Sequence, residues 1–400
     1  MNLWKTDMWW ASPFNDLSSF RQSLKLPSNI VIHDATLRDG EQTPGVVFSI
    51  EDKVEIAKLL DQIGVDRIEA GMPAVSADDQ EAIRRISKLG LKARIFTFAR
   101  AMKEDIDMAV QCGADGVIIE IPTSEPKLIH QFPTWTKDDV IRKSIETVKY
   151  SKSRNLETVY FGYDTTRADF SFLKELYARI IEEGKPDSIG IVDTMGCILP
   201  GALKEMIREL KTLFDIKIEI HTHNDFGLAV ATSFAAMEAG AEVIHTCVNG
   251  MGERTGNASL EQVMVGLKVL YGIDVKYNLS AIQELSRAVS RYSNFHMPVN
   301  QPVVGDNIFV RESGIGINLV MKTPLAMFAL DPAFIGHKAG VVLGKKSGTL
   351  SVEVQAEALG RSVTKEQAEQ ILKEVKALGI RKKSTLTNDE FLAILDKYKD

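Results

Sequence analysis

The chain has 400 residues, with 48 Lys and Arg against 54 Asp and Glu, a formal net charge of −6 and a pI near 5.8. A hydrophobic content of 44% and a charged content of 26% are typical of a soluble globular protein. This acidic balance gives no electrostatic reason to expect nucleic acid or an anionic membrane as a partner.

Cysteine usage and the first residues bear on the compartment. Cys112, Cys197 and Cys247 form no CxxC pair, which indicates a reducing environment. No apolar run approaches the ~18 residues that a membrane span needs. The opening MNLWKTDMWWASPF has no apolar signal core. We therefore expect a cytoplasmic protein. Residues 1–28 are predicted to form an N-terminal arm that packs on the following domain or on a partner subunit, with an aromatic lid as the alternative.

Eight short β-rich runs alternate with longer amphipathic runs. Alternation of this kind predicts parallel pairing, and about eight units over roughly 230 residues predict an α/β fold, a (β/α)8 TIM barrel. A doubly wound open sheet is the alternative, but the turn DATLRDGEQ lacks the GxGxxG pattern expected after its first strand. The predicted barrel covers residues 29–275, with strands at 29–34, 66–71, 93–98, 116–121, 158–163, 188–193, 216–223 and 242–248.

The alternation of β-rich and amphipathic runs ends after the eighth unit, and we predict a small helical C-terminal subdomain over residues 276–400. A helix is expected at 278–295, and two more begin at the capping-box patterns TKEQ (364–367) and TNDE (387–390). The segment GVVLGKKSG (340–348) misses the spacing of a phosphate-binding loop and is interpreted as a turn before a helix.

Polar residues follow nearly every predicted strand, at the end where a TIM barrel builds its active site. Their number favours a functional site over random surface polarity. Among them, in chain order, are Arg38, Asp39, Gln42, Glu69, Arg100, Glu120, Tyr163, Asp164, Thr194, His221, His223 and Asn257.

Two of the seven histidines, His221 and His223, lie two positions apart at the end of the seventh strand. Residues i and i+2 of a strand share a face, so both imidazoles can point into the barrel. With Asp39 and the amide oxygen of Asn257 they predict a site for a divalent cation. The alternative is a hydrogen-bonded histidine pair that fills the barrel mouth. His33 and His245 are expected to pack within the barrel.

Three motifs carry a resemblance to a known family: DATLRDGEQTPGVVFS (34–49), HTHNDFGLAVA (221–231) and NGMGERTGNASLEQV (249–263). They resemble the 2-isopropylmalate synthase and homocitrate synthase family, which is related more distantly to HMG-CoA lyase. The resemblance runs from about residue 30 to residue 348. It implies a metal-dependent TIM barrel that condenses acetyl-CoA with a 2-oxo acid and then hydrolyses the thioester.

The resemblance also implies roles for individual residues. Asp39, His221, His223 and Asn257 match metal ligands, for which Mn, Mg and Zn are all candidates. Arg38 matches the arginine that polarises a substrate oxygen, and Thr194 matches the threonine that holds the 2-oxo acid carboxylate. The remaining predicted substrate-binding residues are Gln42, Glu69 and Arg100.

The chain departs from the family pattern at the acid/base positions. After the fifth strand Tyr163 stands where a glutamate is expected, followed by Asp164. In VRESGIG (310–316), Arg311 and Gly316 replace expected histidines. We predict Arg38, Tyr163, Asp164 and Arg311 as catalytic residues, with Asp164 or Glu120 able to replace the lost base.

The resulting hypothesis is a metal-dependent acyltransferase that joins an acyl-CoA, acetyl-CoA in the first instance, to a 2-oxo acid. It is expected to act on small molecules as a homodimer. One alternative is an aldolase or lyase that cleaves a 2-hydroxy acid with or without CoA; the absence of cysteine in NGMGERTGN favours the synthase. The other is an inactive regulator, against which the metal-ligand set and Arg38 argue.

Overall fold

Eight parallel strands close into a barrel in which each strand pairs with the next and the eighth pairs with the first. This computed structural model describes residues 3–398. The closed order confirms the predicted TIM barrel and excludes the open sheet, since His33 is paired with Arg67 on one side and His245 on the other. The strands are β1 (Val31–Asp34), β2 (Arg67–Glu69), β3 (Arg94–Arg100), β4 (Gly116–Pro122), β5 (Glu157–Tyr163), β6 (Ser188–Asp193), β7 (Lys217–Thr222) and β8 (Val243–Thr246).

Helices connect the strands and begin where the sequence provides a start signal. Ser49 and Asp52 form a capping box at the start of α2, and Pro200 opens α8. Within residues 3–398, no helix is long and apolar enough to cross a membrane. The helices of the barrel unit are α1 (Ser18–Ser23), α2 (Ile50–Ile63), α3 (Ala77–Ser87), α4 (Lys103–Gln111), α5 (Glu125–His130), α6 (Lys137–Ser153), α7 (Phe170–Arg179), α8 (Pro200–Leu213), α9 (Ala229–Glu238), α10 (Leu260–Val269) and α11 (Ile282–Ser293).

The barrel interior is filled by side chains from alternate strand positions. Phe96, Ile118 and Phe161 belong to one buried apolar cluster. Gly190 makes room for this layer, because a Cβ at that position would overlap the ring of Phe161. Since side chains alternate along a strand, the next inward residue of β4 after Ile118 is Glu120. The apolar layer therefore ends at a polar barrel mouth.

A buried polar network lies within the barrel beside this apolar cluster. The rings of His33 and His245 stack with centroids 4.1 Å apart, and both side chains are fully buried. His245 Nε2 lies 2.8 Å from Glu219 Oε2, and Arg67 donates to Glu219 Oε1 at 2.7 Å. The expectation that these two histidines pack within the barrel is confirmed.

A second compact unit contains the C-terminal helices. Its core includes Leu343, Val352, Ile371 and Phe391. The predicted capping boxes at Thr364 and Thr387 are both formed. Its elements are β9 (Val310–Arg311), α12 (Ile317–Lys322), β10 (Gly340–Val341), α13 (Thr349–Ala358), α14 (Lys365–Lys382) and α15 (Asn388–Leu395), with β9 and β10 paired in parallel.

The two compact units differ from the predicted boundaries. Helix α11 belongs to the barrel unit, which ends at His296 instead of residue 275, because its apolar face is buried and packs against α2. Residues 3–16 belong to the C-terminal unit, so the predicted 1–28 arm is divided after Asp16. Trp9 packs against Phe334 of that unit with ring centroids 5.3 Å apart. Residues 1, 2, 399 and 400, at the outer ends of two predicted ranges, lie outside the described residues.

Candidate active site

A cavity of about 640 Å³ opens at the carboxyl ends of the barrel strands. This is the end of a TIM barrel where active sites are built. The cavity brings together most of the predicted site residues, drawn from seven of the eight strands or their following loops. Its polar lining includes Arg38, Asp39, Gln42, Arg100, Glu120, Tyr163, Thr194, His221, His223 and Glu253.

Asp39, His221 and His223 form a buried cluster whose potential ligand atoms lie within 4.8 Å of one another. Asp39 Oδ2 lies 3.1 Å from His221 Nε2 and 3.7 Å from His223 Nε2. The two imidazole nitrogens are 3.3 Å apart. Asp39 Oδ1 and Asn257 Oδ1 are buried without a hydrogen-bond partner among residues 3–398. The converging carboxylate and imidazole groups of Asp39, His221 and His223, with one carboxylate oxygen unsatisfied, fit a divalent cation.

The charges of this cluster also suit a cation. Burial opposes a charge on Asp39, but the Arg38 guanidinium and the two histidines hold the pKa of that carboxyl well below its usual range. Burial lowers the pKa of His221, and burial together with His221 lowers the pKa of His223 to about 4. At neutral pH the cluster therefore contains one carboxylate and two neutral imidazoles, the protonation states that metal binding requires.

The loop after β8 positions Asn257. Asn257 Nδ2 donates to Asp39 Oδ2 at 3.0 Å and to the Met251 carbonyl at 3.1 Å. Gly256 has a φ of +83°, and a Cβ there would overlap the Gly250 carbonyl oxygen, so the loop closes only with glycine at this position. The motif NGMGERTGN thus has a steric reason for its spacing.

An ion pair with the buried Glu69 fixes the position of Arg38. Arg38 Nε donates to Glu69 Oε1 at 2.6 Å, and the guanidinium lies 4.5 Å from the Phe98 ring centroid. Burial disfavours the Glu69 carboxylate, but Arg38 and His33 outweigh it and lower its pKa to about 2. Glu69 is 0% exposed and does not line the cavity, which corrects its prediction as a substrate-binding residue. It instead orients Arg38.

Asp164 is also withdrawn from the cavity. Its carboxylate accepts from Arg167 at 2.6 Å and from Ser124 at 2.5 Å, and the side chain is fully buried. The predicted catalytic role of Asp164 is therefore not supported by the geometry: both oxygens are bound within the protein. Its backbone N–H donates to Thr194 Oγ1 at 2.9 Å. The Thr194 hydroxyl thus retains its own hydrogen for a ligand in the cavity.

Of the remaining predicted residues, three line the cavity and one belongs to the C-terminal unit. Tyr163 lines the cavity, and Lys127 Nζ lies 4.6 Å from its ring centroid. Gln42 and Arg100 line it too, and Arg100 is 56% exposed and paired with Asp105 at 2.9 Å. Arg311 belongs to the C-terminal unit, where its guanidinium donates to the Ile315 carbonyl at 3.1 Å. The barrel cavity is lined without it.

Several lining residues were not singled out from the sequence. Phe132, Trp135 and Lys143 form part of the wall, and the rings of Phe132 and Trp135 lie 4.5 Å apart. Two aromatic residues in the turn-rich HQFPTWTKDD between α5 and α6 were the available signal. Glu120, one of the polar residues predicted at the strand ends and a candidate replacement base, lines the cavity with Arg38 and Asp39.

Two family models match the chain. Residues 29–289 match the HMGL-like family, and residues 303–383 match the homocitrate synthase post-HMGL domain-like family. Among solved structures, the hydroxymethylglutaryl-CoA lyase from Pseudomonas aeruginosa superposes with a TM-score of 0.62 at 18% identity, covering 71% of this chain and 98% of that chain. At this identity the likeness establishes the barrel fold alone.

Relatives in sequence cover most of the chain. It is 44% identical to homocitrate synthase AksA of Methanopyrus kandleri, with 90% of each chain covered. It is 39% identical to 2-isopropylmalate synthase of Methanocaldococcus jannaschii, covering 92% of this chain and 71% of that protein. It is 41% identical to the putative (R)-citramalate synthase of Archaeoglobus fulgidus, covering 90% and 73%. The predicted family and its synthase-type acyltransferase class are confirmed: the chain belongs to the HMGL-like family, in the group of 2-isopropylmalate and homocitrate synthases.

Proposed function

We propose that the protein condenses acetyl-CoA with a 2-oxo acid in a reaction that depends on a divalent cation, and that water then hydrolyses the product thioester and releases CoA as the free thiol. The observation that carries the proposal is the convergence of Asp39, His221 and His223 with Arg38 in one barrel cavity. A 2-oxo acid presents a carboxylate and a ketone to such a site, and the ketone carbon is the atom that a thioester enolate attacks.

Asp39, His221 and His223 would hold the cation, and Asn257 Oδ1 is available as a further donor. Two imidazoles favour Zn or Mn over Mg, which prefers oxygen ligands. When bound, a cation of this type supplies Lewis-acid polarisation of a carbonyl oxygen.

The chain's own residues supply orientation and charge. Arg38 is fixed by Glu69 at 2.6 Å, so its remaining N–H groups are preorganised toward the cavity and can stabilise negative charge on a substrate oxygen. The free hydroxyl hydrogen of Thr194 can be donated to the carboxylate of the 2-oxo acid. Phe98 and Phe161 line the same cavity and exclude water from its inner part.

The outer wall suits the larger co-substrate. Lys143 Nζ lies 4.9 Å from the ring centroid of Trp135, and Phe132 and Arg100 line the same cavity. An acyl-CoA combines anionic phosphates with an adenine ring and an apolar pantetheine arm, so both kinds of contact are useful. We propose that the thioester enters from this side.

The test is release of free thiol from acetyl-CoA, measured against a panel of 2-oxo acids with and without Mn²⁺, Mg²⁺ or Zn²⁺. Release that requires both a cation and one 2-oxo acid is the expected result and identifies the acceptor. Folded, cation-loaded protein that releases no thiol with any acceptor contradicts the proposal. The matching 2-hydroxy acids are then assayed for cleavage, the activity of the alternative lyase.

Homodimer formation and the catalytic role of Arg311 remain predictions. Size-exclusion chromatography coupled to light scattering measures whether the protein forms a homodimer. The second is tested by Arg311→Met, which is expected to lower turnover without altering the cation content of the barrel unit. Unchanged turnover removes Arg311 from the catalytic set.

A further inference from the structure

We propose that Glu120 is the general base that takes a proton from the methyl carbon of the acyl thioester, an assignment that rests on the function proposed above. The condensation needs such a base, because the methyl carbon must become nucleophilic before it attacks the ketone. The family resemblance implies a glutamate at the position that Tyr163 occupies in this chain. The chain therefore needs its carboxylate elsewhere in the same cavity.

The other carboxylates in and around the cavity are held in ion pairs, which leaves Glu120 as the candidate base. Asp39 is bound to the histidine cluster, and Glu69 and Asp164 are ion-paired outside the cavity lining. Glu253 lines the cavity, but its side chain is 53% exposed and pairs with the adjacent Arg254 at 3.2 Å. Among residues 3–398, Glu120 is the inward carboxylate of the cavity lining for which no hydrogen bond or ion pair is found.

The strand register explains why Glu120 points inward. In β4 it follows Ile118, which is part of the apolar cluster in the barrel, by two positions. Its register partner on β5 is Phe161, another member of that cluster, whereas Tyr163 is paired with Pro122 one layer nearer the mouth. The carboxylate of Glu120 thus comes from the strand next to β5 and from a deeper layer than Tyr163.

The surroundings keep Glu120 reactive. Burial raises its pKa to about 7, with Arg38 opposing the rise and Asp39 and Glu69 adding to it. A carboxyl of this basicity accepts a proton more readily than an ordinary glutamate does. The Arg38 guanidinium, near enough to act on Glu120, is also placed to stabilise the enolate oxygen.

The proposed step balances without an additional reagent. The C–H bond of the methyl group breaks, an O–H bond forms on Glu120, and the electron pair passes to the enolate of the thioester. That pair then forms the carbon–carbon bond to the ketone carbon of the 2-oxo acid. The resulting alkoxide takes a proton from water, and Glu120 returns its proton to water.

Glu120→Gln is the first variant, with Glu120→Asp as the conservative variant and Glu146→Gln as a control, since Glu146 is exposed on α6 and paired with Arg142. Cation content, 2-oxo acid affinity and thiol release are measured for each, using acetyl-CoA and its methyl-trideuterated form. Glu120→Gln is expected to retain the cation and the 2-oxo acid while kcat falls by roughly 100- to 10,000-fold. Glu120→Asp should recover part of the rate and show a larger methyl isotope effect than the wild type, because C–H cleavage becomes rate-limiting.

The outcomes separate the assignment from the proposed function. If Glu120→Gln releases thiol at the wild-type rate, the assignment of Glu120 as the base is overturned, whereas the proposed function stands. If Glu120→Gln loses turnover together with cation or 2-oxo acid binding, Glu120 is a binding residue and its assignment as the base is also overturned. An unchanged isotope effect in a slow Glu120→Asp variant likewise counts against a base. Wild-type protein that releases no thiol with any acceptor overturns the proposed function and this assignment with it.

Discussion

Replacing Arg38 by methionine separates its two roles, in stability and in turnover. Arg38 is the cationic partner of Glu69, whose side chain is 0% exposed. A pKa depressed from 4.5 to about 2 corresponds to about 3 kcal/mol of stability at neutral pH. Removing one partner of a buried ion pair typically costs about 3–5 kcal/mol, because the other charge is left without compensation. We therefore expect Arg38→Met to destabilise the barrel unit by about 3 kcal/mol.

The double variant Arg38→Met/Glu69→Gln is expected to recover most of this stability, because it removes the orphaned charge, but not the turnover. Arg142→Met is the matched control: Arg142 is 54% exposed and lies in surface ion pairs, which contribute less than about 1 kcal/mol. Urea unfolding followed by circular dichroism measures the whole fold. Hydrogen exchange of peptides from β1 to β3 reports on the barrel unit.

The pH dependence has a definite sign. Glu69 has a lowered pKa in the folded state, so its contribution is present above pH 4.5 and is lost as the pH falls toward about 2. In Arg38→Met the Glu69 carboxyl keeps His33 but loses the guanidinium that opposes the effect of burial, so its pKa rises and the penalty should shrink as the pH falls and Glu69 becomes protonated. A variant as stable as the control at pH 7, or equally destabilised at pH 4 and pH 7, would refute this account of the pair.

Four further variants test the site. Asp39→Asn and His223→Ala should each lower bound cation at least tenfold by elemental analysis of dialysed protein and abolish turnover; unchanged cation content would remove the residue from the ligand set. Tyr163→Glu in the Glu120→Gln background is expected to restore thiol release about tenfold, because it returns a carboxylate to the cavity; no recovery would mean that the cavity differs from the family pattern by more than one base. Gly256→Ala should lower cation affinity and thermal stability together, since the Asn257 loop cannot close, and wild-type values of both would contradict that reasoning.

Local sequence patterns were sufficient to predict the secondary-structure elements of the barrel and two helices of the C-terminal unit. All eight strands and the starts of α2, α14 and α15 follow from apolar runs and capping boxes, which depend on residues a few positions apart. The cation cluster was predictable for a similar reason. His221 and His223 share a face by the period of a strand, and the barrel brings the ends of all its strands together.

The choice of partners for charged side chains was not predictable from such patterns. Glu69 and Asp164 look equivalent to Glu120 in the sequence, because each is an acid at the end of a strand. Closure of the barrel brings Glu69 into an ion pair with Arg38, and the turn after β5 brings Asp164 into an ion pair with Arg167. Glu120 forms no such pair and faces the cavity. The boundary after His296 had the same origin, since the helix α11 buries its apolar face against α2, far away in sequence. The sequence by itself thus determined the barrel and the family, and it predicted that Asp39, His221 and His223 lie together at the barrel mouth. Only the tertiary structure decided which carboxylates are neutralised and which one remains free, because ion pairing depends on distances that are set when the whole barrel closes.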